Sequence, residues 1–298
     1  MQKEEKQGII IVAVAYIFWG FMPIYWKLLE HVSSDEILVS RVIWSFIFTL
    51  LLVVLGRNYK VLISDLKELW KNKKAFWSLV VASYLVTGNW FTYIYAVNAG
   101  YIVQSSLGYY INPLISVLLG IIFLKEKMSR AQQLSVLIAA TGVAILTISY
   151  GVIPWISFIL AFTFAIYGFI KKSLTIDALR GLTIETMFVL PVALFYFGYL
   201  LMTDRAVFFQ TNSVTVILLI LTGVATAVPL VLFAKGTKTM PLYMSGFIQY
   251  FAPTIMLLVG VFVYNEKFSK IEFLSFSFIW AALILFTVSK IVEVRKNR

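Results

Sequence analysis

Two ionisable side chains, Arg41 and Glu185, lie inside long apolar stretches of this 298-residue chain. A charge in the hydrocarbon layer of a membrane costs several kcal/mol unless it faces a cavity or a partner, so both are candidates for gating or ion coupling. Their positions place them at depths that differ by roughly 13 Å across a ~30 Å core. We therefore predict one charge in each vestibule rather than an ion pair. Two plainer alternatives stay open: Arg41 extends to the outer headgroups, and Glu185 caps the start of a helix.

Uncharged polar and aromatic side chains form a second candidate group. They offer hydrogen-bond donors and acceptors beside flat apolar faces, which suits a polar or zwitterionic organic solute with an apolar or aromatic body. Pro113 and Pro253 each free a backbone carbonyl in mid-stretch, so we expect local unwinding there. The plainer alternative is that these polar groups only hydrogen-bond neighbouring helices. The predicted solute-binding residues are Trp44, Asn89, Trp90, Tyr93, Asn98, Ser106, Tyr109, Tyr110, Asn112, Gln249 and Tyr250.

The stretches that carry these residues repeat a common skeleton, 140 residues apart. An odd number of membrane spans between the copies would insert the second copy upside down, as in many secondary transporters. We therefore predict two repeats, residues 1–150 and 151–298. The acidic residues at the span ends are interpreted as helix caps or lateral salt bridges. The skeleton consists of Tyr110, Pro113, Gly120, Glu126, Lys127 and Ser129, which recur as Tyr250, Pro253, Gly260, Glu266, Lys267 and Ser269.

The composition is that of a membrane protein. Hydrophobic residues make up 61% of the chain and charged residues 13%, and the mean hydropathy is +0.90. The apolar runs are continuous and about 20 residues long, which favours membrane helices over the alternating strands of a barrel. We predict an all-α polytopic protein with ten transmembrane helices, divided five and five into inverted halves. The runs are 8–29, 35–55, 76–97, 100–124, 130–149, 152–170, 180–202, 213–234, 240–264 and 271–290.

The connections between these runs set the orientation. If the N-terminus is cytoplasmic, cytoplasmic segments hold 20 of the 25 Lys and Arg residues and external segments hold four. The positive-inside rule then places both termini in the cytoplasm. Lys171 and Lys172 are interpreted as part of this signal, and segment 56–75 is predicted to contain a short interfacial amphipathic helix. The net charge of +11 is explained by these loops, so we predict lipid contact and no nucleic-acid partner.

Several kinds of chemistry lack candidates in this sequence. The chain has no Cys and one histidine, His31, in a short connection, so we predict no metal site. It has no phosphate-binding glycine loop, no Gly-x-Ser-x-Gly elbow and no His-Glu-x-x-His helix. We therefore expect no cofactor, no ATP-driven step and no enzyme activity. One carboxylate, Glu185, is enough for proton coupling.

The chain resembles the RarD group of EamA-type transporters, within the drug/metabolite transporter superfamily. The likeness runs from the second span to the last, and the motif of the fourth span is the most specific. One departure is Ser40, where family members often carry a His before Arg41, so a proton-handling role for that His is not carried over. The matching motifs are 41–45 (RVIWS), 88–90 (GNW), 96–98 (AVN), 106–114 (SLGYYINPL), 154–155 (PW), 167–168 (YG), 185–186 (ET), 249–250 (QY) with Pro253, and 278–280 (FIW).

The resemblance implies ten helices in two inverted five-helix repeats around a central cavity, and export of small metabolites or drugs across the cytoplasmic membrane. We therefore predict a secondary active transporter that works by alternating access, with proton coupling left open. The alternatives are a flippase for a lipid-linked substrate and a non-transporting membrane scaffold or sensor. The expected partners are a small-molecule substrate, such as a metabolite, amino acid or drug, and the lipid bilayer. A monomer and a homodimer both remain open.

Overall fold

The computed structural model describes residues 3–98, 102–149, 151, 154–265 and 268–296, and leaves the side chains of 3, 97–98, 102–106 and 293–296 undescribed. No strand occurs within those ranges, which confirms the all-α prediction. The described residues form twelve helices. These are α1 (Lys3–Lys27), α2 (Ser34–Leu55), α3 (Tyr59–Lys71), α4 (Lys73–Asn98), α5 (Ile102–Phe123), α6 (Arg130–Ser149), α7 (Trp155–Ser173), α8 (Ala178–Met202), α9 (Ser213–Thr237), α10 (Leu242–Gln249), α11 (Phe251–Val263) and α12 (Lys270–Lys296).

Each predicted apolar run falls on these helices, and the run 240–264 falls on two of them. Within the described ranges, eight stretches are long and apolar enough to cross a membrane: α1, α2, α6 to α9, α10 with α11, and α12. The runs 76–97 and 100–124 correspond to α4 and α5, which are not among the eight. The multi-pass membrane fold is therefore confirmed, and ten spans in inverted halves stay a prediction.

The predicted amphipathic segment forms α3. Its Leu62 and Leu69 are buried in a small apolar cluster with Val53 of α2, Leu79 of α4 and Ile184 of α8. The remaining faces of α3 are largely exposed. The helix therefore covers one end of the bundle and does not extend through it.

The ninth predicted span is broken at Tyr250, between α10 and α11. Proline has no backbone N–H, and the ring of Pro253 excludes the carbonyl of Gln249, four residues earlier, from a regular helical bond. The effect near Pro253 is an interruption at one residue, Tyr250, whose backbone stays in the helical region (φ −61°, ψ −14°), so it falls short of the predicted unwinding. The same expectation for Pro113 is wrong, because α5 stays helical on both sides of it.

Helices of residues 1–150 pack mainly on helices of residues 151–298. α1 contacts α9 and α11, α2 contacts α8 and α9, and α4 contacts α7. α5 contacts α7 and α10, and α6 contacts α12. A single large apolar cluster runs through both parts of the chain. The two parts therefore share one core.

The first turns of α1 and the last turns of α12 lie at the same end of this bundle. Lys290 Nζ of α12 is 3.2 Å from Glu5 Oε1 of α1, which joins the first turns of the chain to its last helix. We call this the terminal end. The opposite end, where α1 and α4 finish and α2 and α5 begin, is called the distal end. The two names fix directions for the site.

Candidate substrate-binding cavity

A cavity with a free volume of about 100 Å³ lies inside the bundle, between helices of both predicted halves. Its lining residues on α1 and α4 come from the later parts of those helices, and those on α2 and α5 from the earlier parts. The cavity is therefore in the distal half of the bundle. Eight of the predicted functional residues line it: Arg41, Asn89, Trp90, Tyr93, Tyr109, Asn112, Gln249 and Pro253.

Arg41 is the one basic residue among the described lining residues. Its Nε donates a hydrogen bond to Thr226 Oγ1 of α9 at 3.0 Å. Its Cζ lies over two indole rings, 4.9 Å from the centroid of Trp26 and 4.5 Å from that of Trp90. A cation over aromatic faces is stabilised by the negative potential of those faces. Arg41 therefore does not extend to the headgroups, and that alternative is wrong.

Three side-chain amides form hydrogen bonds that link α4, α5 and α10 to neighbouring helices around the cavity. Asn89 Nδ2 donates to the Leu160 carbonyl at 2.8 Å and to Thr163 Oγ1 at 2.9 Å, both on α7. Asn112 Nδ2 donates to the carbonyl of Ala161, also on α7, and Gln249 Nε2 donates to Asn112 Oδ1.

The amide nitrogens thus serve helix packing, as the plainer interpretation expected. The oxygens Asn89 Oδ1 and Gln249 Oε1 accept no bond from the described residues. They are the part of these amides that is free to bind a solute.

Tyr93 and Tyr109 complete one wall, with ring centroids 5.8 Å apart in an edge-on arrangement. Their hydroxyls make no hydrogen bond to another described residue, and both residues are partly exposed. They add polar groups to a wall that is otherwise aromatic. The wall can thus contact both the polar and the apolar parts of an organic solute.

Other predicted residues lie outside the cavity lining. Trp44 stacks on Phe208, with ring centroids 6.1 Å apart, and Tyr110 packs edge-on against Phe276. The hydroxyl of Tyr250 donates to the Tyr110 carbonyl at 3.3 Å. In this conformation these three side chains serve helix packing, and Pro113 is likewise absent from the lining. The side chains of Asn98 and Ser106 lie outside the described residues.

An aromatic cluster forms the floor of the cavity on the side of the terminal end. Phe233 of α9 is at its centre, with ring centroids 5.9 Å from Tyr16, 5.5 Å from Phe164 and 6.3 Å from Tyr167. Tyr16, Tyr167 and Phe233 are at most 3% exposed. These rings separate the cavity from the terminal end of the bundle.

Glu185 lies beyond this floor and not in a vestibule, which corrects the prediction made for it. It is 1% exposed and forms an ion pair with Lys171 of α7. It is not a helix cap either, because Asp177 caps α8 by accepting from the backbone N–H groups of Leu179 and Arg180. Lys171 is correspondingly more than an orientation signal, since its amine is an interior partner of Glu185.

Further contacts join the two predicted halves at the terminal end. Glu126 accepts from the backbone N–H groups of Leu242 and Tyr243 at 2.7 and 3.0 Å, and so caps the start of α10. Arg180 of α8 pairs with Asp65 of α3 at 2.5 Å. The cap interpretation of Glu126 is confirmed, although the helix it caps comes from the other half. Glu266 and Lys267 lie outside the described residues.

Most of the α1 face of the cavity is not among the residues predicted from the sequence. This face consists of Trp19, Met22, Pro23 and Trp26, which recur at the spacing of one side of a helix. That spacing was a usable signal, but an apolar face of a membrane helix has the same pattern when it only packs. Within the described ranges, no three His, Asp or Glu side chains are grouped to hold a metal ion.

Comparison with known proteins identifies the family. A model described as the EamA-like transporter family matches residues 6–148. Over 296 residues the chain is 50% identical to an uncharacterised transporter, YojE, of Bacillus subtilis, covering 99% of this chain and 98% of that protein. It is 39% identical over 295 residues to the protein RarD of Escherichia coli, covering 99% and 98%. The chain belongs to the RarD group of EamA-like transporters.

The resemblance drawn from the motifs is thereby confirmed, and this RarD-group protein is a multi-pass membrane transporter of the drug/metabolite superfamily. A solved crystal structure shares its fold with a TM-score of 0.71, covering 95% of this chain and 98% of that one. Their sequences are only 15% identical, so that likeness concerns the fold alone.

Proposed function

We propose that this RarD-group protein is a secondary carrier that exports small organic solutes by alternating access between two inverted halves, residues 1–150 and 151–298. The cavity is the observation that carries the proposal. It combines a cation, amide oxygens, hydroxyls and aromatic rings, and helices of both halves contribute to it. Sites of transporters lie at the interface between repeats, where movement of one half against the other changes access.

The helix packing supports two equivalent halves. Suppose that α1 corresponds to α7, α4 to α9, and α5 to α10 with α11. The contact between α5 and α7 then has the contact between α11 and α1 as its equivalent, and the contact between α4 and α7 has the contact between α9 and α1. All four of these contacts are made. The family match over residues 6–148 also ends close to the predicted boundary.

The opening step would take place at the terminal end, which the positive-inside rule assigns to the cytoplasm. The rings around Phe233 must separate, and the Glu126 cap and the Arg180–Asp65 pair must break or move with their helices. The break at Tyr250, beside Pro253, offers a hinge for α10 against α11. We assign Pro113 the equivalent hinge position in α5.

Glu185 is the proposed coupling residue. Protonation would remove its negative charge, so Lys171 would lose its partner in an interior where an unpaired charge is costly. Lys171 and Glu185 would then separate, and α7 and α8 would shift below the floor. Proton entry from one side would in this way bias the halves towards one conformation.

Counterflow in proteoliposomes tests the proposal. The vesicles are loaded with one solute at a time from a panel of amino acids and chloramphenicol, with and without a pH gradient. Saturable exchange above that of protein-free liposomes is expected for at least one solute. Glu185→Gln should lose the pH-driven flux and keep exchange without a gradient. Silence across the panel and with a simple organic anion, 3-phenylpropionate, while the protein is folded, would overturn the carrier.

A further inference from the structure

Arg41 lines the cavity, and part of its guanidinium has no hydrogen-bond partner among the described residues. Nε is bonded to Thr226, and Cζ lies over the rings of Trp26 and Trp90. The two terminal nitrogens donate to no acceptor among the described residues. A guanidinium held in this way is preorganised, because its orientation is fixed before any ligand arrives.

The charge of Arg41 is also unbalanced within the described part of the cavity. No Asp or Glu belongs to the lining, and the two carboxylates buried deepest, Glu36 and Glu185, have other partners. Glu36 accepts from the backbone N–H groups of Val207 and Phe208 at 2.8 Å each, and Glu185 pairs with Lys171. The stretch 97–106 contains no acidic residue in its sequence. A cation in the cavity with no anion among the described lining residues favours an anionic ligand.

The walls beside Arg41 define the rest of that ligand. Aromatic rings line much of the cavity and favour a ligand with a flat, apolar body. These rings belong to Trp19, Trp90, Tyr93, Tyr109 and Phe164. The free amide oxygens and tyrosine hydroxyls can bind neutral polar substituents. An ammonium group would find no carboxylate among the described lining residues, so a simple anion fits better than a zwitterion.

We propose that the cavity binds small organic monocarboxylates with a flat, apolar body, and that Arg41 binds the carboxylate edge-on through its terminal nitrogens. A carboxylate matches the fork of a guanidinium in a bidentate arrangement, which Lys cannot reproduce. The transport of such anions rests on the proposed carrier function, whereas their binding does not. The two are therefore tested by separate measurements.

Four ligands with one shared ring test the binding: 3-phenylpropionate, its amide, phenylalanine and 2-phenylethylamine. Ligand binding raises the melting temperature of the purified protein in detergent, and titration of that rise gives an affinity. We expect 3-phenylpropionate to bind at least about tenfold more tightly than the amide, since hydrogen bonds to charged groups are the stronger kind. An amide or a zwitterion that binds as tightly as the carboxylate would overturn the proposal.

Three variants locate the effect. Arg41→Gln should reduce the preference for carboxylate over amide to less than about twofold while amide binding persists. Arg41→Lys keeps the charge without the fork, and should retain a preference weaker than the wild-type one. Arg130→Gln, at an exposed arginine that starts α6, is the matched control and should keep the full preference. If Arg41→Gln does not fold, a full preference in Arg41→Lys overturns the proposal and a reduced one supports it.

Counterflow with the same four ligands separates the two proposals. Exchange of the amide or the amine, with none of the carboxylate, would leave the carrier standing and overturn the transport of anions. Carboxylate binding that depends on Arg41, without exchange of any ligand, would support the anion site and overturn the carrier. If none of the four ligands is bound and none is exchanged, both proposals are overturned.

Discussion

Glu185 and Lys171 form an ion pair buried between α7 and α8, beneath the aromatic floor of the cavity. The hydroxyl of Tyr167 donates to the second carboxylate oxygen at 3.2 Å, so the charge has two protein partners. Two charges that compensate each other here cost far less than one charge left alone. The pair is therefore the part of the interior most sensitive to a single substitution.

Removing one charge of this pair should destabilise the protein strongly. Glu185→Gln leaves the Lys171 amine buried without a counter-charge, with an expected loss of about 3–5 kcal/mol in the free energy of unfolding. The double variant Lys171→Met with Glu185→Leu should recover most of that loss. Melting temperatures in detergent compare the three proteins. A single variant as stable as the wild type would show that the pair does not form.

Glu126 should stabilise α10 from the other half of the chain. Its carboxylate accepts from the backbone N–H groups of Leu242 and Tyr243, so Glu126→Ala leaves two donors unpaired. We expect a loss of about 0.5–2 kcal/mol, the usual range for a lost N-cap, and a smaller loss for Glu126→Gln, which keeps an acceptor. Thermal unfolding measures both. Equal stability of the alanine variant and the wild type would contradict the cap.

Close contact between α2 and α9 depends on Gly223. A Cβ at this position would lie 2.3 Å from the backbone carbon of Trp44, and Ser45 Oγ donates to the Gly223 carbonyl at 3.3 Å. Gly223→Ala must push the helices apart, at an expected cost of about 1–3 kcal/mol. Gly198→Ala is the matched control, because nothing lies within 4 Å of the added carbon. Similar melting temperatures for both variants would contradict the close packing.

Because of Lys238, the free energy of unfolding should vary with pH in the alkaline range. Burial lowers the pKa of Lys238 below its ordinary 10.5, and the nearby charge of Lys171 lowers it further. Between the folded and unfolded pKa values the folded state holds fewer protons, so the free energy of unfolding rises with pH in that window. Lys238→Gln keeps a donor for the Ile176 carbonyl and should reduce this rise. If the melting temperature of Lys238→Gln depended on pH as that of the wild type does, the rise would come from another group.

The fold was largely accessible from the sequence because membrane helices are constrained by length and hydropathy. Runs of about 20 apolar residues located the helices, and the amphipathic pattern located α3. The break at Tyr250 followed from Pro253. The uninterrupted helix around Pro113 did not follow, because tertiary packing decides whether a proline in a membrane helix unwinds its neighbours.

The cavity was predicted better than its surroundings. Arg41, Asn89 and Gln249 stood out because polar residues are rare in such helices, and all three line the cavity. The partner of Glu185 was missed, since Lys171 lies in a basic pair at a span end and looks like a topology signal. Only its ion pair with Glu185 of α8 shows that the amine turns inward.

Cysteine accessibility tests alternating access most directly, because the chain contains no Cys and each introduced thiol is the only one. Met256→Cys places a thiol in the cavity, and Lys67→Cys on exposed α3 reports the terminal end. In vesicles of known orientation, an impermeant maleimide should label Cys at 256 from either side, because the cavity opens to each in turn, and label Cys at 67 only from the cytoplasmic side. A transported solute should change the rate at position 256. Labelling of position 256 from one side only, or a rate that solute does not change, would contradict the account.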